Sequence, residues 1–121
     1  MKELKFVIHE HFSKRKHFDF RFQVENDLES YAIPKELPMK DEKRLAVFVG
    51  LRPLSVLTFE GTIEEGGYGA GKIVIWDSGN FIFLEDLNNK KVLELNGNKV
   101  KGKFAMIKLK DKDNWLIFRK D

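Results

Sequence analysis

Apolar and polar residues alternate in short runs along most of the chain. This alternation is typical of β-strands that bury one face, and clusters of Gly, Asn, Asp and Pro between the runs favour turns. The runs predict strands at residues 4–11, 17–25, 29–33, 44–50, 57–63, 71–76, 80–84, 92–96, 99–109 and 115–119. Short strands at such regular spacing predict an all-β fold, either a barrel or a sandwich.

Four segments depart from this pattern. Residues 35–43 are polar and predict a loop, and residues 77–80, Asp-Ser-Gly-Asn, predict a turn. Residues 84–91 are the one fair helix candidate, although two Asn weaken it. Residues 66–71 are rich in glycine but lack the phosphate-binding pattern G-x-x-x-x-G-K-[ST], so we expect them to provide tight turning instead.

The composition of the chain limits the folds, ligands and partners that it can have. The 121 residues, 42% of them hydrophobic with 11 Phe and 2 Trp, predict a single domain over residues 1–121 with one core. No Cys is present, which excludes disulfides and thiolate metal sites, so any metal would need His and carboxylate ligands. The net charge of +3 permits a polyanionic partner without requiring one. Because no long apolar run occurs, we expect no signal peptide and no membrane span, and a cytoplasmic protein.

The strand at residues 17–25 has two very different faces. Phe18, Phe20, Phe22 and Val24 alternate with a polar series that begins His17, Asp19, Arg21. Two potential ligands therefore lie about 7 Å apart on one face, and a cation follows at the same interval. A His nitrogen and a carboxylate suit Mn²⁺, Zn²⁺ or Fe²⁺, and the Arg fork matches phosphate oxygens. The alternative is an ordinary polar outer face of an antiparallel sheet.

The preceding strand supplies a second signal. His9 and His11 share one of its faces, and the residues that follow could close a hairpin, which would set His11 near His17. All three histidines of the chain thus lie within nine residues, which favours a metal site. The turn at residues 13–16 is basic, and it is either an ordinary solvated turn or a contact for a nucleic-acid backbone.

With these residues in place, the chain resembles a known family. The string F-V-I-x-x-H-x5-H-x-D-F-R, which starts at Phe6, is similar to the 3′-phosphoesterase family found as a module of bacterial DNA ligase D and as free-standing proteins. Further similar blocks follow in order across the whole chain. They are residues 31–35, 43–47, 59–61, 68–71, 75–79 and 113–116.

The resemblance implies a compact antiparallel β-barrel with one or two short flanking helices. It implies a Mn²⁺-dependent enzyme, with Zn²⁺ or Co²⁺ as possible substitutes, that removes 3′-phosphates and terminal ribonucleosides from DNA or DNA/RNA primer-template ends in non-homologous end joining. A separate DNA ligase or polymerase is a possible partner, and a monomer is expected.

By position, the resemblance implies roles for individual residues. It assigns His11, His17 and Asp19 as metal ligands and Arg21 as a phosphate-binding residue. His9 stands where the family has Gln near the metal. Two more cations fall on basic positions that the family associates with activity, and these are Lys35 and Arg44.

One block departs from the family. Residues 52–56 read Arg-Pro-Leu-Ser-Val where the family typically has H-P-L-x-Y, so Arg52 replaces a His that resembles a phosphate-contacting or acid/base residue. An Arg can still bind phosphate, but it cannot act as an acid near neutral pH. The departure supports an alternative, in which the chain binds nucleic-acid 3′ ends and recruits a ligase or polymerase without cutting. A metal-independent barrel with an incidental His cluster is a third possibility.

Overall fold

Nine strands and one short helix make up the regular structure of the part of the chain that the computed structural model describes, residues 3–64, 66 and 70–120. The strands are β1 (Leu4–Phe12), β2 (His17–Val24), β3 (Asp27–Ile33), β4 (Lys43–Pro53), β5 (Gly61–Ile63), β6 (Gly71–Asp86), β7 (Lys90–Gly97), β8 (Lys101–Lys108) and β9 (Asn114–Arg119). A 3₁₀ helix, Leu54–Thr58, follows β4.

The strands close into an eight-stranded antiparallel barrel. Their order around it is β1-β2-β3-β4-β9-β8-β7-β6, and β6 pairs with β1 to complete the ring. β5 lies outside the ring and pairs with the first residues of β6. The all-β prediction and the barrel implied by the resemblance are therefore confirmed, with the 3₁₀ helix as the short helix.

Aromatic side chains fill the barrel interior. Each strand turns alternate residues inward, so the apolar face of the strand at 17–24 joins those of its neighbours. Phe22 stacks on Tyr31 with ring centroids 5.4 Å apart. The core includes Phe6, Ile8, Phe18, Phe20, Phe22, Tyr31, Phe81, Leu93, Phe104 and Trp115. This inward alternation leaves the His, Asp and Arg of β1 and β2 on the outer face.

The predicted turn at residues 77–80 is wrong, because β6 runs through it without interruption. Asp77 instead accepts backbone hydrogen bonds from residues 98–100 of the β7–β8 turn. Gly79 permits close approach to β7, since a Cβ there would lie 2.1 Å from the Asn96 carbonyl oxygen. The polar and small residues at 77–80 therefore stabilise the β7–β8 turn and the packing against β7, instead of forming a turn themselves.

The helix predicted at 84–91 is also wrong, and the strand predicted at 57–63 forms only in part. The helix candidate at 84–91 forms the end of β6, a short turn and the start of β7. The backbone N–H of Leu87 donates to the Lys90 carbonyl at 2.8 Å and closes that turn. The strand predicted at 57–63 is reduced to β5, because the 3₁₀ helix takes its first residues.

Residues 67–69, in the middle of the glycine-rich run at 66–71 that is predicted to make a tight turn, lie outside the described residues. The described residues contain no helix with the length and hydrophobicity that spanning a lipid bilayer requires.

Candidate metal and phosphate site

The predicted hairpin of β1 and β2 is present. Its register sets His11 opposite His17, His9 opposite Asp19 and Val7 opposite Arg21. Residues that face each other on antiparallel strands have Cβ atoms about 5 Å apart, so these polar side chains meet on the outer face of the barrel.

This outer face is buried, which the alternation alone did not predict. Fractional exposures are 0% for His9, 5% for His11, 4% for Asp19 and 7% for Arg21. The connection from β4 to β6 covers them, and its backbone carbonyls at Phe59 and Ala70 accept hydrogen bonds from the histidines. The site therefore lies between the barrel wall and this connection.

Three ligand-type side chains converge on one point. The Asp19 carboxylate lies 3.0 Å from His11 Nδ1 through Oδ2 and 3.1 Å from His17 Nε2 through Oδ1. One nitrogen of each His and one carboxylate oxygen all lie within 4.8 Å of one another. A nitrogen and oxygen donor set of this kind suits Mn²⁺, Zn²⁺ or Co²⁺.

The outward nitrogens of both histidines are held by backbone carbonyls. His11 Nε2 donates to the Ala70 carbonyl at 3.1 Å, and His17 Nδ1 donates to the Arg15 carbonyl at 3.0 Å. Metal-binding histidines usually make such a bond with the nitrogen that does not face the metal, which fixes the tautomer and the ring orientation. The inward nitrogens, His11 Nδ1 and His17 Nε2, are thereby the ones left to bind a cation.

The charges of this cluster depend on one another. Burial raises the pKa of Asp19, but the hydrogen bond from His17 and the charge of Arg21 outweigh burial, so the pKa lies below its ordinary value. The hydrogen bond to Asp19 raises the pKa of His17, and this effect exceeds that of desolvation. Asp19 is thus ionised at neutral pH, as a ligand must be.

Arg21 is held on three sides. Its Nε donates to Ser30 Oγ at 3.0 Å, one terminal nitrogen donates to His9 Nδ1, and the other lies 3.4 Å from Asp19 Oδ2. The guanidinium is therefore fixed beside the point where the ligand atoms meet. A planar cation in that position matches phosphate oxygens.

His9 is neutral in this arrangement. Burial, followed by the charge of Arg21, lowers its pKa to about 4. Its Nε2 donates to the Phe59 carbonyl at 2.9 Å, so its Nδ1 carries the lone pair that accepts from Arg21. Both ring nitrogens are engaged, and His9 links the guanidinium to the covering connection.

Comparison with known proteins gives this cluster a context. The family model described as the DNA Ligase D 3′-phosphoesterase domain matches residues 9–108, a range that contains the whole hairpin site. The chain belongs to the DNA ligase D 3′-phosphoesterase family.

Several relatives within multifunctional proteins are similar over nearly the whole chain. Identity is 43% over 95% of the chain with the "Multifunctional non-homologous end joining protein LigD" of Mycolicibacterium smegmatis. It is 41% over 94% with the "Multifunctional non-homologous end joining DNA repair protein LigD" of Mycobacterium tuberculosis, and 38% over 87% with the Pseudomonas aeruginosa protein. The chain spans only 16% of the length of the two mycobacterial proteins and 13% of the third.

Arg52, at the position where the 3′-phosphoesterase family pattern has His, lies at the same cavity. The cavity has a volume of about 270 Å³ and is lined by His11, His17, Asp19, Arg21, Ala32, Val49, Arg52, Ile63 and Ile73. Arg52 Nη1 donates to the Leu51 carbonyl at 2.9 Å. Val56, at the position of the family Tyr, belongs to the 3₁₀ helix.

The two remaining predicted cations lie elsewhere. Lys35 is exposed beyond the end of β3, and Arg44 contacts Glu42 at 3.1 Å and Glu36 at 3.8 Å. Neither is among the described residues that line the 270 Å³ cavity. Their suggested roles therefore stay predictions from the resemblance.

Several parts of the site were not predicted from the sequence. Ser30 pairs in register with Arg21, and a small polar residue on the outer face of a strand was a signal that could have revealed it. Val49 reaches the cavity because a bulge in β4 shifts the register between Ser30 and Tyr31. The carbonyls of Phe59 and Ala70 carry no sequence signal, because every residue has a carbonyl.

Proposed function

We propose that this chain is a divalent-metal-dependent phosphoesterase acting on 3′ ends of nucleic-acid primer strands in DNA repair. It would remove a 3′-phosphate, a terminal 3′-ribonucleoside, or both. The proposal is supported above all by the convergence of His11 Nδ1, His17 Nε2 and the Asp19 carboxylate beside Arg21. Family membership and the similarity to end-joining LigD proteins agree with it.

In this proposal His11, His17 and Asp19 hold Mn²⁺, with Zn²⁺ or Co²⁺ as possible substitutes. The donor set fits, because both histidines already present a fixed nitrogen to a shared carboxylate. When bound, the metal supplies Lewis-acid polarisation of a phosphoryl oxygen and lowers the pKa of bound water.

Arg21 would bind the phosphoryl group. Its hydrogen bonds to Ser30 and His9 and its ion pair with Asp19 keep the guanidinium in one orientation, so little side-chain freedom is lost when substrate binds. Charge that develops on the phosphoryl oxygens in the transition state would then meet a preorganised cation. Arg52, on β4, lines the same cavity and is the second candidate for this contact.

His9 would act as a positioning residue. Both of its ring nitrogens are engaged, one with Arg21 and one with the Phe59 carbonyl. Its lowered pKa of about 4 leaves the ring neutral near pH 7, with its one N–H bonded to the carbonyl and its lone pair facing Arg21. We therefore assign it the orientation of Arg21 instead of proton transfer.

The decisive test is a gel assay on a 5′-labelled primer-template with either a 3′-phosphate or a 3′-terminal ribonucleotide, with and without Mn²⁺. Wild-type protein should release the end group only with the metal. His17→Ala should abolish release, because one ligand and its carbonyl-fixed ring are lost. Mn²⁺ should also raise the melting temperature of wild type but not of the variant.

A matched control is Gln23→Ala, which removes a polar side chain from the same strand outside the cavity lining. It should keep wild-type release. Near-normal release by His17→Ala would refute the proposal. Primer binding by wild type without turnover under any divalent metal would instead favour the binding module, which the Arg52 and Val56 departures from the family pattern suggest.

A further inference from the structure

A second, larger depression adjoins the metal and phosphate cavity. This groove has a volume of about 1140 Å³ and shares His17, Ala32 and Ile63 with the smaller cavity. The β1–β2 turn forms one side, and the end of β3 with the start of β4 forms another. A ligand in the groove would therefore be continuous with whatever binds beside Arg21.

The two volumes suit different parts of one substrate. Pockets for small molecules usually measure about 300–1000 Å³. The smaller cavity, at about 270 Å³, has room for little more than the reacting group. The groove exceeds the usual range, so it suits an extended ligand.

Exposed apolar side chains line the walls of the groove. Phe12, at the end of β1, and Leu45, on β4, are each 42% exposed although they line a concave surface, and the half-buried Val47 lies on the same strand as Leu45. Exposed apolar groups gathered in a depression mark a binding site more often than scattered ones do. Sugars and bases can pack on such a wall, and an aromatic ring can stack on a base.

The lip of the groove is basic. Lys14, Arg15 and Lys16 line it, and Glu64 is the only acidic side chain among the described lining residues. Lys16 pairs with Glu10 at 2.8 Å. Within the described part of the chain, the side chains of Lys14 and Arg15 make no ion pair, which leaves two cations for an external anion.

A hydrogen bond connects the basic lip to His17, a proposed metal ligand. The Arg15 carbonyl accepts hydrogen bonds from His17 Nδ1 at 3.0 Å and from Ser13 Oγ at 2.8 Å. The turn that presents the cations is therefore held in register with the ring of His17. An anion on the lip would lie at a fixed offset from the reacting end.

We propose that the groove binds the nucleic-acid strand that precedes the reacting 3′ end. Lys14 and Arg15 contact its backbone phosphates, and Phe12 and Leu45 pack against its sugars and bases. The direction of the strand rests on the proposed function, which places the 3′ end in the smaller cavity.

Binding is measured by fluorescence anisotropy of a short 5′-fluorescein DNA strand with a 3′-phosphate, in EDTA so that no turnover occurs. The double variant Lys14→Ala/Arg15→Ala should raise Kd about tenfold or more. The slope of log Kd against log salt should fall by roughly 0.7 for each lost phosphate contact. Leu45→Glu should weaken binding by a similar factor, because it places a carboxylate on the apolar wall.

The matched control is Lys110→Ala/Lys120→Ala, which removes the same charge from exposed positions outside the described groove lining. It should change Kd less than twofold and leave the salt slope unchanged. Equal losses in both double variants would mean nonspecific attraction and overturn the proposal, as would wild-type binding by the groove variants. Failure of the proposed function would appear separately, as absence of Mn²⁺-dependent release from the 5′-labelled primer-template by wild type, whatever the groove variants do to binding in EDTA.

Discussion

Asp19 and Asp77 are both almost inaccessible to solvent, at 4% and 3% exposure, yet their surroundings are of different kinds. Within the described part of the chain, Asp77 accepts hydrogen bonds from backbone N–H groups only. The donors are Ser78 at 2.8 Å, Asn98 at 2.9 Å, Lys99 at 3.0 Å and Val100 at 2.8 Å. Asp19 is instead surrounded by the side chains of His11, His17 and Arg21.

The kind of hydrogen-bond donor distinguishes a carboxylate that stabilises the fold from one that can bind a cation. Backbone donors stay where the fold puts them, so a carboxylate that satisfies them, as Asp77 does, stabilises a turn. Histidine donors can give up a proton and offer a lone pair, so the carboxylate between them can exchange its partners for a cation. Because both carboxylates are buried, burial alone does not distinguish the two roles, and the kind of donor does.

The same Asp-to-Asn substitution at the two positions should distinguish these roles, and the largest effect is expected on the activity of the Asp19 variant. Asp19→Asn should lower 3′-phosphate release in Mn²⁺ by about a thousandfold or more, because the charged ligand beside Arg21 is lost. The rate is measured on protein shown to be folded by circular dichroism. A rate within tenfold of wild type would show that the reaction does not need the Asp19 carboxylate, and the proposed contrast with Asp77 would fail.

Asp77→Asn should have the opposite profile. At least two backbone N–H groups of the β7–β8 turn lose their carboxylate acceptor, so we expect a loss of about 2–3 kcal/mol in the free energy of unfolding. Urea denaturation measures this loss, while the turnover of the folded protein at low temperature should equal that of wild type. An unchanged unfolding free energy together with reduced turnover would reverse the assignment.

The smallest effect is expected at His9, which contacts the Asp19 cluster through Arg21. His9→Leu removes both the acceptor for Arg21 and the donor to Phe59, and should lower turnover roughly tenfold without changing Mn²⁺ affinity. His9→Gln is the matched control, because an amide can accept from Arg21 and donate to the carbonyl at once. It should retain most of the activity, and equal losses in both variants would contradict a positioning role.

Local pattern was enough to predict much of the site. The alternation in the strand at 17–24 placed His17, Asp19 and Arg21 on one face, because side chains change sides at every residue. A short connection after the preceding strand then brought His11 opposite His17, as the register confirms. These relations involve few residues that are close in the chain, so they can be inferred without the fold.

The misread segments depend on contacts that are distant in the chain. Residues 77–80 have the composition of a turn, but Asp77 and Gly79 meet partners about twenty residues away on β7 and the β7–β8 turn. The helix candidate at 84–91 is divided between two paired strands, since sheet pairing overrides weak local preference.

The sequence by itself thus determined the all-β class, the aromatic core face and the polar series that carries the candidate chemistry. Only the tertiary structure decided that the polar face is buried, that His9 orients Arg21 and that a basic groove continues from the cavity. These features require the β4–β6 connection to fold over the β1–β2 hairpin. That contact joins His9 to the Phe59 carbonyl and His11 to the Ala70 carbonyl, which are 50 and 59 positions away in the chain. Because every residue has a backbone carbonyl, the sequence carries no signal for these bonds.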